Sequence, residues 1–137
     1  LCASPEYLVK HGNPQTPNAL RGHNMLAYSN QTGAHEWRYK TPNGVVENIQ
    51  LQGSFKCNSG EMLMQAACHG LGIATLPIFY VAEYIKSGAL VPILSDYVSY
   101  PQRDIFAVYQ PTQYISTRLR LFIDHLAASC KKLPWAE

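Results

Sequence analysis

The stretch from Cys57 to Pro77 constrains this chain more than any other. Asn58 is placed to cap a helix, its side-chain oxygen accepting a free N–H of the first turn. Glu61, three residues on, can reach back to the Asn58 N–H and complete a capping box. Met62, Leu63, Ala66 and Ala67 recur at helical spacing and form one apolar face. Gly70 suits the left-handed residue just past a helix end. Leu71 to Leu76 is mostly apolar and too short for another helix, so it predicts a buried strand ended by Pro77. A helix feeding directly into a buried strand belongs to an α/β sheet. Its N-terminus offers free N–H groups and a partial positive charge, a setting that suits a small anionic ligand. Most capped helices bind nothing, so this arrangement gains weight only from its surroundings.

Elsewhere the signals alternate in the same way. Leu1 to Ala3 reads as a strand end, and Ser4-Pro5-Glu6 as a helix start that carries Tyr7 and Leu8 inward and stops at Gly12. Thr16-Pro17 repeats that start for a short helix to about Arg21, and Met25 to Tyr28 reads as a strand. Trp37 and Tyr39 alternate with Glu36, Arg38 and Lys40. Thr41 to Gly44 then supplies a turn, and Val45 to Leu51 a partner strand, which predicts a hairpin better packed than sugar-binding. Gly53 to Cys57 is extended, Ile78 to Lys86 helical and Ala89 to Leu94 a strand. Ser95 to Asp104 is a polar loop, Ile105 to Tyr109 a strand. A last helix from Ser116 is expected to bury Leu119, Phe122, Ile123 and Leu126. Alternating helices and strands favour an α/β fold.

Composition removes several functions. Hydrophobic residues make up 47% of 137 and charged residues 15%, which predicts a packed core rather than disorder. The eleven Lys and Arg are scattered and the net charge is +2, so no basic stripe for nucleic acid is visible. No apolar run has the length of a membrane span, and no leader pattern is present. The chain opens on Leu1 without an initiator Met and reads as a piece of a longer protein. Cys2, Cys57, Cys68 and Cys130 are widely separated without a CxxC pair; zinc spacing is absent, and reduced cytoplasmic thiols are the expectation. Cys57 reads as a small buried hydrophobe rather than a redox sensor.

Enzyme chemistry finds little purchase. Cys68 and His69 are adjacent on a helix and do not face each other. A nucleophilic Cys57 with a distant His23, His35 or His125 is the arrangement left open. There is no nucleophile elbow, phosphate loop or HExxH, and Gly70-Leu71-Gly72 continues wrongly for a dinucleotide fingerprint. The reading is a non-enzyme without cofactor or metal.

Five motifs in order carry a resemblance: Leu1 to Leu8, His11-Gly12-Asn13-Pro14, Gly53 followed by Asn58, Gly70 to Pro77, and Arg118 to Leu126. Together they resemble the effector-binding domain of LysR-type bacterial transcription regulators over essentially the whole chain. The resemblance implies a type 2 periplasmic-binding-protein-like fold, two α/β lobes joined by two crossing strands with the ligand between them. On that pattern residues 1–4 are the first crossing, 5–104 build lobe two, and 105–137 return to the C-terminal helix of lobe one. The DNA-binding winged helix-turn-helix and the first part of lobe one would lie outside this sequence, leaving the last helix short of its usual support. It further implies a cleft that draws on Ser4 at the hinge, on Cys57, Asn58 and Ser59 at the helix start, on Thr75 and Pro77 at a strand end, and on Tyr109 of the returning strand. The same positions have plain structural roles: Ser4 and Asn58 as caps, Thr75 as strand filler, Tyr109 as core. The implied partners are a small-molecule effector, DNA only through the N-terminal domain, and further copies of the chain. A transport-type solute-binding protein of the same fold is the alternative, and would require a secretion leader upstream.

Overall fold

A computed structural model of the chain describes residues 1–29, 36–102, 105–110 and 115–132. The chain forms two compact units, Leu1–Gln102 and Arg103–Glu137.

The first unit is built on a mixed five-stranded sheet. β1 (Cys2–Ala3), β2 (Met25–Tyr28), β5 (Phe55–Cys57), β6 (Ile73–Ala74) and β7 (Val91–Pro92) take the order β5-β2-β6-β1-β7. β2 runs parallel to β5 and β6, with Leu26 beside Phe55 and Met25 beside Ile73. β1 runs antiparallel between β6 and β7, Cys2 opposing both Ala74 and Pro92. Successive strand residues point to opposite faces, and the core divides accordingly. Cys2, Leu26 and Ala74 face one apolar cluster with Leu63, Met64, Ala67, Val81 and Leu90. Ala3, Met25 and Ile73 face the other, with Tyr7, Leu20, Trp37, Tyr39, Ile49, Leu51 and Ile93. Both faces of the sheet are therefore covered at its centre, which is why β1, β2 and β6 read as unbroken apolar runs.

One face is covered by α2 (Gly60–Cys68) and α3 (Ile78–Lys86). The expected apolar stripe of α2 is confirmed at Leu63 and Ala67, while Met62 is exposed and Met64 takes its place inside. Leu63 is fully buried and contributes roughly 1.5–3 kcal/mol. Gly70 closes the helix at φ 72°, a left-handed conformation that costs glycine nothing. The strand expected over Leu71 to Leu76 forms ladder bonds only at Ile73–Ala74, and that over Ala89 to Leu94 only at Val91–Pro92.

The other face is covered by α1 (Pro5–His11), a short 3-10 helix (Pro17–Gly22) and the hairpin of β3 (Glu36–Lys40) and β4 (Val46–Gln50). Ser4 caps α1, its hydroxyl oxygen accepting the Tyr7 N–H at 3.2 Å. In β3, Trp37 and Tyr39 are buried between exposed Glu36, Arg38 and Lys40, as strand alternation requires. Their rings stack at 4.6 Å between centroids. The Trp37 indole N–H donates to Ser99 Oγ at 2.9 Å, and the Tyr39 hydroxyl donates to the Glu47 carboxylate at 2.8 Å. Burial, then the hydrogen bond to Glu47 and its charge, pushes the Tyr39 phenol up to about 12. The segment expected to be only a polar loop also supplies β8 (Val98–Ser99), which pairs antiparallel with β3. Its two exposed residues carry no apolar pattern, so no sequence signal marks it. Asp104, the end of that expected loop, lies outside the described residues.

The second unit corrects two expectations. Residues 105–110 form no strand: Ile105, Phe106 and Val108 are exposed, Val108 to 92%. β-propensity produces a strand only where a neighbouring backbone supplies the ladder. α4 (Thr117–Cys130) begins as expected, with Ser116 Oγ accepting the Leu119 N–H at 3.3 Å. Its apolar stripe is not buried, however; Leu119 and Ile123 are half-exposed, Phe122 is 59% exposed and Leu126 37%. No helix of the described residues is long and apolar enough to cross a membrane.

Candidate functional site

Parallel strands end on a common edge, and β2, β5 and β6 bring three chain segments to it: Ser29 after Tyr28, Asn58 after Cys57, and Thr75 after Ala74. β5 and β6 flank β2 and stand roughly 9.6 Å apart, two strand spacings. Ligands gather at such edges in open α/β sheets.

The α2 start is fixed from below. The Ser29 N–H donates to the Cys57 carbonyl at 2.8 Å, and the Cys57 thiol donates to the Ser59 carbonyl at 3.2 Å. With Cys57 so held, the chain turns one residue later than expected. Ser59, not Asn58, is the N-cap; its hydroxyl oxygen accepts the Met62 N–H at 3.3 Å, and its carbonyl accepts the Leu63 N–H at 3.1 Å. The capping box of Asn58 with Glu61 is thereby displaced, because Glu61 falls at the second helical position rather than the third. Asn58 is left exposed beside the helix start. Gly60 and Glu61 carry the N–H groups at the open end of α2, and Glu61 places a carboxylate in the same turn that would compete with an incoming anion.

Tyr80 of α3 lies against this turn. A Cβ on Gly60 would come 2.7 Å from the Tyr80 ring, so any larger residue there would displace that ring. Phe79 stands next to Tyr80, ring centroids 4.7 Å apart, and both are partly exposed together with Pro77 and Ile78. The edge therefore combines a polar helix start with an apolar, aromatic flank.

The sequence candidates divide. Cys57, Asn58, Ser59, Thr75 and Pro77 all lie at this edge, Thr75 and Pro77 exposed and Cys57 and Ser59 half-buried. Ser4 does not. β1 is antiparallel to β6, so Leu1 comes level with Thr75 while Ser4 lies at the opposite end, 3.5 Å from where a Gly70 Cβ would stand. Ser4 is 3% exposed and occupied as the α1 cap. Tyr109 belongs to the second unit and is 46% exposed there, so the core role expected of it is not realised. Sequence reasoning missed Ser29 and Tyr80. Ser29 could be inferred only from the register of β2 against β5, Tyr80 only from its packing on Gly60.

Among the described residues of the first unit, Cys57 is not paired with a histidine. Cys57 lies at the C-terminal end of the β2–β5 pair, whereas His23 precedes β2 at the other end. His125 is on α4 of the second unit, and His35 lies outside the described residues. All four cysteines are free, and burial pushes the Cys2 and Cys68 thiols up, away from thiolate chemistry.

Comparison with known proteins gives one answer. Residues 1–131 match the LysR substrate binding domain family. The HTH-type transcriptional regulator CrgA of Neisseria meningitidis is 36% identical over 124 residues, 90% of this chain and 41% of the relative. The HTH-type transcriptional activator TtdR of Escherichia coli is 34% identical over 133 residues, 96% of this chain and 42% of the relative. The chain thus spans about two fifths of these relatives' length. Among solved structures, the regulatory domain of AphB from Vibrio vulnificus aligns with a TM-score of 0.77 at 32% identity, covering 93% of this chain and 62% of that one. The regulatory domain of CrgA aligns with the same TM-score at 34% identity and the same coverage. The mixed α/β, periplasmic-binding-protein-like class expected from the sequence is the fold of these regulatory domains. The chain belongs to the LysR substrate binding domain family.

Proposed function

We propose that this chain is the greater part of the effector-sensing region of a LysR-type transcription regulator. A small molecule binds at the edge formed by Cys57, Asn58, Ser59, Thr75 and Pro77, with Ser29 and Tyr80 beside it. Anionic ligands are favoured by the open N–H groups of Gly60 and Glu61, and the aromatic flank suits a ligand with an apolar body. Residues 1–4 and 105–110 are the two crossings between lobes, and the apolar stripe of α4 packs on a part of lobe one outside this sequence. DNA is contacted through an N-terminal domain, the parent protein assembles as a homo-oligomer in the cytoplasm, and the region catalyses no reaction. Ligand binding changes the parent's state only by as much as its affinities for the two states differ.

The observation that supports this reading is the α2 start at the C-terminal edge of β2, β5 and β6, in a chain of this family. Relatives named as transcriptional regulators favour it over the transport reading. A panel of small carboxylates with aliphatic and aromatic bodies tests it by thermal melting. A ligand at a hundred times its Kd adds about 2.7 kcal/mol and raises the melting temperature. No shift with any member, in this chain and in the full-length parent, overturns the reading, as does a secretion leader upstream in place of a helix-turn-helix.

A further inference from the structure

A second cluster of polar groups lies at the opposite edge of the sheet, and the effector reading makes no use of it. Tyr7, on the inner face of α1, is 3% exposed, and its hydroxyl oxygen accepts the Asn24 N–H at 3.0 Å. The same hydroxyl lies 3.3 Å from His23 Nδ1. The Tyr7 ring stacks on His11 at 4.5 Å between centroids and stands 5.8 Å from the His23 ring.

Asn24 is the node to which this cluster is tied. Its side-chain oxygen accepts the Ser54 N–H at 2.8 Å, its amide nitrogen donates to the Leu71 carbonyl at 2.7 Å, and its own carbonyl accepts the Ile73 N–H at 2.9 Å. One residue thus joins the segments entering β2, β5 and β6, and Tyr7 joins α1 to that residue.

The proton count at Tyr7 favours one tautomer of His23. A phenol has one proton to give, and the Asn24 N–H already occupies a lone pair of Tyr7. The remaining bond is satisfied when Tyr7 donates to a bare His23 Nδ1, with the imidazole proton on Nε2. If His23 gains a second proton, Nδ1 becomes a donor, two donors then face the Tyr7 oxygen, and the buried Tyr7 proton has no acceptor.

We propose that His23 is an acid-released latch: its neutral ring holds α1, through Tyr7, to the Asn24 node, and protonation frees α1 from the sheet edge.

The surrounding charges act in the same direction. His11 is the titratable neighbour on α1, and its positive charge opposes a second one on His23. Lys10, beside it in the last turn, adds another cation to that helix end. Arg21, on the 3-10 helix, is turned along its own helix, Nε donating to Asn18 Oδ1 at 3.2 Å. β4, which packs on the 3-10 helix, carries Glu47, whose carboxylate is engaged by the Tyr39 hydroxyl. Burial first, then His11, holds the imidazole below its ordinary 6.5. The native state therefore binds fewer protons than the unfolded one just below pH 6.5. The latch is fully closed above that pH and lost as the pH falls through the depressed value.

The test is a pH titration of the intact chain by NMR, following the His23 ring and the exchange protection of the Asn24 amide, normalised to its intrinsic rate. The expected result is loss of Asn24 protection in one single-proton step below pH 6.5, coincident with His23 titration. In His23→Gln that step is absent. In His11→Gln it persists and moves to higher pH, because the opposing charge is gone; His11 stacks on Tyr7 but is no partner in the Tyr7–His23 and Asn24–Tyr7 hydrogen bonds. Flat protection across the titration overturns the proposal, and so does a step that survives His23→Gln or fails to move in His11→Gln.

Discussion

Gly72→Ala measures how tightly the strands of the first unit meet. Gly72 enters β6 directly over the Asn24 backbone, and a Cβ there would run into the Asn24 carbonyl oxygen and lie 3.1 Å from Leu26 Cδ2. A backbone carbonyl cannot swing aside as a long side chain can. The strand must shift, and the bonds at risk are the Ile73 N–H to the Asn24 carbonyl at 2.9 Å and the Asn24 amide to the Leu71 carbonyl at 2.7 Å. Overpacking costs about 1–3 kcal/mol, and two hydrogen bonds add roughly 0.5–1.5 kcal/mol each. The sum, roughly 2–6 kcal/mol, is a large part of a typical domain's 5–15 kcal/mol. Urea denaturation reads the loss as a lower midpoint at unchanged slope. Gly22→Ala is the control, since nothing lies within 4 Å of its Cβ, and should stay within about 0.5 kcal/mol of the parent. A Gly72→Ala midpoint equal to that of Gly22→Ala would refute the close approach of β6 to β2.

Other variants separate the roles assigned above. Ser59→Ala should cost about 0.5–2 kcal/mol as a lost cap, and Asn58→Ala a few tenths at most, both by urea midpoint; the reverse order would restore Asn58 as the cap. Leu63→Ala should destabilise the first unit by about 2–5 kcal/mol, whereas Phe122→Ala on the exposed face of α4 should cost under about 0.5 kcal/mol in this chain. In the full-length parent the same Phe122→Ala should be costly, because α4 would there be covered. The Tyr39 phenol, raised in the folded state, contributes stability that is complete below pH 10 and is lost as the pH rises toward about 12. Tyr39→Phe should flatten that alkaline loss in a melt against pH.

Local chemistry made much of the first unit legible. Ser4-Pro5-Glu6 marks the start of α1, the alternation at Trp37 and Tyr39 marks the hairpin, and Gly70 marks the end of α2. These signals act within a few residues and need no partner. The failures share the opposite property. Asn58 and Ser59 are both good caps, and the choice between them depends on Ser29 holding Cys57 across the sheet. Ser4, expected at the hinge, falls at the end of the sheet away from Thr75 because β1 runs against β6. Ile105 to Tyr109 has strand-forming residues but no ladder among the described ones, and β8 has the ladder in a stretch too short to show alternation. The edge at the α2 start was legible because its members sit on either side of one helix and the strand that follows it. Ser29 and Tyr80 reach it from farther along the chain, and no local pattern announces them.

The most direct test of effector sensing follows backbone amides by NMR while a stabilising small carboxylate is titrated in. The account predicts the largest saturable shifts at Ser29, Asn58 to Glu61, Thr75 and Tyr80, with the Ser4 and Tyr7 amides unmoved. Shifts centred on Ser4 and α1, or none at the α2 start, would contradict it.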